Sequence, residues 1–92
     1  GVANAKKIAE AALSLYAEDK LTSISPAAAA DSNTTLKGYL QNADLTTKAK
    51  SVTATKGTKF FVELSKDGIV TVTAGSGGKV LYPIADAEYN AK

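Results

Sequence analysis

Residues 2–19, VANAKKIAEAALSLYAED, contain neither glycine nor proline and are rich in Ala, Leu, Lys and Glu. These are strong helix formers, and the run predicts one continuous helix. Ala5, Ile8, Ala12 and Leu15 recur at helical spacing and make a single apolar stripe. Ala9, Leu13 and Tyr16 lie on its flank, and Lys6, Lys7, Glu10 and Glu18 take the other side. At 1.5 Å per residue the segment is roughly 27 Å long. No Ser, Thr or Asp precedes it as a cap, so it reads as the continuation of a longer helix rather than a beginning. A helix with one apolar stripe must bury that stripe on a second layer. The rest of the chain is therefore constrained to supply one.

The second layer is predicted from about residue 50 onward. SVTAT (51–55) is β-branched and alternating, and Lys56-Gly57 is a turn signal. TKFFVELS (58–65) sets Phe60, Val62 and Leu64 on one face, with Phe61, Glu63 and Ser65 on the other. Lys66-Asp67-Gly68 is a tight hairpin turn, since Asp-Gly supplies the positive φ such turns need. IVTVTA (69–74) returns, GSGG (75–78) is a flexible loop, and KVLYP (79–83) is a further extended segment. The expected sheet core is Phe60, Val62, Leu64, Val70 and Val72. Phe60 and Phe61 face opposite ways, so one is core and the other packs under the connection or marks a contact surface.

Between helix and sheet, Pro26 disfavours helical geometry at Ser25. Ala27 to Ala30 read as a helical turn. Asp31 or Asn33 then caps a short second helix over roughly 34–43, with Leu36, Tyr39, Leu40 and Ala43 on one face. Gly38 weakens that helix by about 1 kcal/mol relative to Ala. The plan is α+β in one domain of 92 residues. A long helix (about 2–19) and a connection bearing a short helix (about 20–49) precede a three- or four-stranded antiparallel sheet (about 50–83) and a tail (84–92).

The absent residue types narrow the chemistry. There is no His, Cys, Met or Trp, and all 11 basic residues are Lys. Neither a Ser–His–Asp nor a Cys–His constellation is available. Cys/His zinc sites, disulfides and the bidentate guanidinium fork are excluded as well. Lys79 or Asp86 beside Tyr82 are the remaining enzymatic candidates, and no spacing supports them. The reading is a protein that is not an enzyme, with no catalytic residues, no cofactor and no metal site. A net charge of +2, with lysines spread along the chain, is not a nucleic-acid binder's balance.

AGSGGK (74–79) lacks the earlier glycine and the following Ser/Thr of a phosphate-binding loop, and VLYPI after it is not a helix. Asp86 and Glu88 fall far short of a calcium loop. Asn33-Thr34-Thr35 matches the N-glycosylation triplet, a weak signal by itself. No apolar run approaches the roughly 18–20 residues of a membrane span.

The order of elements resembles a known family. ANAKKIAEAALSLYAED is similar to the stretch just after the membrane-embedded part of a type IV pilin helix. There, small and charged residues lead to Leu-Tyr and an acid, here Leu15-Tyr16-Ala17-Glu18-Asp19. LKGYLQNADL (36–45) resembles the element between helix and sheet in pilins and competence-type pseudopilins. FFVELSKDGIVTVTAG (60–75) looks like their antiparallel sheet. The likeness is greatest to the small cysteine-free pilins of Gram-positive bacteria. The family's most diagnostic feature, a prepilin signal with its hydrophobic helix and early glutamate, is not in this sequence, and neither is the disulfide-closed C-terminal loop of many pilins.

The resemblance implies a structural subunit, major or minor, of a type IV pilus or related filament on the cell surface. Its precursor would sit in the cytoplasmic membrane. Its partners would be other copies, joined through a preceding apolar helix, and the pilus assembly machinery. The membrane would be met only through that preceding segment, and the domain alone would be a monomer. A pseudopilin of a secretion or competence system, and a secreted module binding sugar or peptide, are the alternatives.

Overall fold

The computed structural model describes residues 2–40, 53–55 and 58–86. Helix α1 (Val2–Ala17) leads to strand β1 (Ile24–Ala29), a 3-10 turn (Ala30–Ser32) and helix α2 (Thr34–Leu40). Strands β2 (Thr53–Thr55), β3 (Thr58–Leu64), β4 (Val70–Ala74) and β5 (Val80–Tyr82) follow. The sheet runs β1-β3-β4-β5, antiparallel throughout, and β2 pairs with the start of β3. The fold is α+β, a long N-terminal helix on an antiparallel sheet with a short second helix. Residues 51–52, the Lys56-Gly57 turn, the end of the second helix beyond Leu40, and the tail from residue 87 lie outside the described residues.

α1 ends two residues earlier than its composition predicts. Asp19 takes φ +62, the left-handed conformation usually filled by Gly. Its amide bonds back to the Tyr16 carbonyl at 3.1 Å, and the Lys20 amide to the Leu15 carbonyl at 2.8 Å. This pair of bonds satisfies two of the carbonyls that a helix end leaves orphaned. Short polar Asp tolerates this backbone, so the stop carries no glycine signal.

The connection differs from expectation. Ala27–Ala29, read as part of a helical turn, are strand, and the tight turn comes only at Ala30–Ser32. Pairing with β3 supplies the backbone hydrogen bonds and overrides alanine's helical preference. Pro26 fits because β1 is an edge strand whose register is interrupted between Ile24 and Ala28. The sheet therefore gains a strand from the segment predicted to be only a link.

α2 begins on Asn33, whose Oδ1 accepts a hydrogen bond from the Leu36 amide at 2.9 Å. This is the N-cap geometry, a contribution of about 1 kcal/mol.

One core joins the two layers. From α1 it takes Ala5, Ile8, Ala9, Ala11, Ala12 and Leu15, and from the sheet Phe60, Val62, Leu64, Val70, Val72 and Leu81. Leu36 and Leu40 of α2 close one side. Phe60 is fully buried while Phe61, on the other face of β3, is half-buried. The alanines of α1 mostly face inward, and their small side chains let the helix backbone lie close to the sheet.

Candidate functional site

Among the described residues there is no group of three His, Cys, Asp or Glu side chains able to hold a metal ion. No buried side-chain polar atom among them lacks a hydrogen-bond partner. No described helix is long and apolar enough to cross a membrane. Three surface regions stand out among the described residues.

The first is the outward stripe of α1. With Ala5, Ile8, Ala12 and Leu15 buried, rotation at 100° per residue carries Ala3, Lys7, Glu10, Ser14 and Ala17 to the opposite side. Ala3, Lys6, Lys7, Glu10 and Ala17 are exposed and Ser14 is half-buried. The stripe is short-chained at Ala3, Ser14 and Ala17, where another helix can approach closely, and carries the long charged side chains of Lys7 and Glu10 between them.

The second region is the C-terminal end of α1. The Tyr16 hydroxyl donates to the Lys66 carbonyl at 2.8 Å. Its ring lies where a Cβ on Gly68 would be, 2.8 Å from Cε2, and Gly68 holds φ +85. Around the turn, the Ser65 hydroxyl accepts from the amides of Asp67 (3.2 Å) and Ile69 (3.1 Å). The helix is thereby pinned to the β3–β4 hairpin. A shallow depression of about 500 Å³ beside it is lined by Tyr16, Asp19, Leu21, Ser23 and Lys66. It carries no aromatic wall beyond Tyr16 and no cluster of carboxylates.

The third region is the β4–β5 hairpin and the chain after it. GSGG, expected as a mobile loop, is a closed turn. The Ala74 amide bonds to the Lys79 carbonyl at 2.9 Å, Gly78 to Gly75 at 3.1 Å, and the Thr73 hydroxyl to the Gly75 carbonyl at 2.8 Å. A Cβ on Gly78 would overlap the Ala74 carbonyl oxygen, which accounts for glycine there. β5 follows directly, so no helix N-terminus is on hand to receive a phosphate. Tyr82 packs its ring against the core, and the Asp86 amide bonds to the Val80 carbonyl at 2.7 Å. Glu88 and Tyr89 lie outside the described residues.

Asn33, the candidate glycosylation residue, has its side-chain oxygen engaged in capping α2 and is half-buried. Asp31, the alternative cap, does not cap α2; its Oδ2 pairs with Lys59 Nζ at 3.0 Å and ties the turn before α2 to β3. The partners are far apart in the chain, so no local pattern could have joined them.

Comparison with protein-family models, with curated proteins and with solved structures gives no match.

Proposed function

We propose that this chain is the globular headpiece of a type IV pilin-like filament subunit, displayed at the cell surface. The observation that carries the reading is the division of α1. One side is buried in its own sheet through Ala5, Ile8, Ala12 and Leu15, and the other is an outward stripe of small (Ala3, Ser14, Ala17) and charged (Lys7, Glu10) side chains. Such a helix serves two partners at once: its own domain inward and neighbouring helices outward. The order of helix, connection with a short helix, and antiparallel hairpins fits the same reading.

In this reading the domain performs no catalytic step. Its work is packing and display. The filament is held by an apolar helix preceding α1, and the assembly machinery extrudes the subunit. A pseudopilin role uses the same architecture.

Antibodies raised against these residues test the proposal on the cells that make the protein. Immunogold electron microscopy is expected to label extended filaments, and mechanical shearing to release the antigen. Loss of the prepilin peptidase is expected to abolish both and leave a larger, membrane-bound form. Label confined to the cytosol, or a freely secreted antigen indifferent to the peptidase, would overturn it.

A further inference from the structure

Asp67 is the only Asp or Asn in the chain that is followed by glycine. The backbone nitrogen after an aspartate can close onto the side-chain carboxyl carbon, and a side chain on that following residue obstructs the approach. Asp19, Asp31, Asp44 and Asp86 each precede a residue that carries one, and Asp67 does not. Asp67 is also exposed at the hairpin tip, open to water.

The folded turn withholds the nucleophile. The Gly68 amide donates its hydrogen to the Ser65 carbonyl at 3.0 Å, and the Asp67 amide donates to Ser65 Oγ at 3.2 Å. From α1, the Tyr16 ring lies over Gly68, and its hydroxyl donates to the Lys66 carbonyl at 2.8 Å. The backbone on both sides of Asp67 is therefore held, and one of the holding groups comes from 50 residues away in the chain.

We infer that the Asp67-Gly68 peptide is a latent self-modification site that converts to isoaspartate when the hairpin tip opens, and that Tyr16 is the residue that keeps it closed. In the open turn the Gly68 nitrogen bonds to Asp67 Cγ. One carboxyl oxygen leaves as water, carrying the amide hydrogen and one proton from solvent, and a five-membered succinimide forms. Water then adds to one of the two ring carbonyls, that carbon–nitrogen bond breaks, and the proton is returned. Opening at Cγ restores aspartate. Opening at the main-chain carbonyl leaves the chain running through Cγ, as isoaspartate. No oxidant or other reactant is needed.

Isoaspartate lengthens the main chain by one methylene between Lys66 and Gly68, the two residues on which Tyr16 rests. The converted chain therefore loses the seat that pins α1 to the β3–β4 hairpin. Because the reaction needs the open turn, its rate follows the population of that local opening. The inference concerns the hairpin and holds with or without the filament reading.

Warm incubation of the folded 92-residue chain at neutral pH tests it, with isoaspartate located by peptide mapping and mass spectrometry. The same chain in urea gives the rate of the open turn. The folded chain is expected to convert at Asp67 alone, and more slowly than in urea. Y16F keeps the ring and removes the hydroxyl, and is expected to speed conversion roughly 2- to 12-fold, the weight of one neutral hydrogen bond. Hydrogen exchange at the Gly68 amide is expected to rise by the same factor while the β3–β4 ladder keeps its protection. That local pattern separates a clamp from a general loss of stability. D67E, which would have to close a six-membered ring, is expected to abolish conversion at this position. The purified isoaspartate form is expected to melt below the unconverted chain. No conversion at Asp67 even in urea would overturn the inference, as would a folded chain that converts as fast as the unfolded one. Conversion unchanged in Y16F, exchange that rises over the whole sheet instead of at the turn, or a converted chain that melts like the original would do so too.

Discussion

Phe60→Ala is expected to remove most of the stability of this domain. Phe60 is fully buried in β3, on the face that meets α1. Phe→Ala in a core costs about 3–5 kcal/mol, through lost transfer energy and the cavity left behind. A domain of this size has roughly 5–14 kcal/mol in total. The expected fall in Tm is roughly 12–40 °C, at about 4–8 °C per kcal/mol. Phe61→Ala is the control, because Phe61 is half-buried on the opposite face. It removes a side chain of the same size and is expected to cost about 1 kcal/mol, in proportion to the smaller burial. Thermal melts of the two variants measure the difference. Equal losses would mean that β3 does not present Phe60 to the helix.

Gly68→Ala is the second large effect, and its cost has two separable parts. Gly68 sits at φ +85, where any side chain meets a backbone penalty of about 1–2 kcal/mol. The added Cβ also arrives 2.8 Å from Tyr16 Cε2. The ring must move, and its hydrogen bond to the Lys66 carbonyl is strained or lost. A neutral hydrogen bond contributes about 0.5–1.5 kcal/mol, so the whole substitution is expected to cost about 2–3 kcal/mol. A double-mutant cycle with Tyr16→Ala isolates the second part. In the Tyr16→Ala background, Gly68→Ala is expected to cost only the backbone penalty. Identical costs in the two backgrounds would show that Tyr16 does not lie over the turn.

Much of this architecture is written in local periodicity. The stripe Ala5, Ile8, Ala12, Leu15 and the alternation Phe60, Val62, Leu64 each need only neighbouring residues to be seen, and all seven are buried. The Asp67-Gly68 turn is likewise a local signal. β1 was not legible because Ala27–Ala29 favour helix in isolation and become strand only through β3, which lies far along the chain. The end of α1 was misplaced for a related reason. Asp19 does the work of a glycine, and its composition does not announce it.

The candidate site was legible only in part. A polar helix stripe such as Lys7, Glu10 and Ser14 has the same composition whether it meets water or a neighbour. The resemblance, not the residue pattern, supplied that partner.

The proposed filament role requires that α1 continue, in the mature protein, an apolar helix that precedes it. N-terminal sequencing and intact mass of the mature protein recovered from cells test this most directly. The expected result is an apolar run of about 20 residues leading directly into Val2, with the N-terminus created at a prepilin cleavage site. A mature chain released by an ordinary signal peptide close to Gly1, or one continuing upstream as a polar cytosolic sequence, would contradict it.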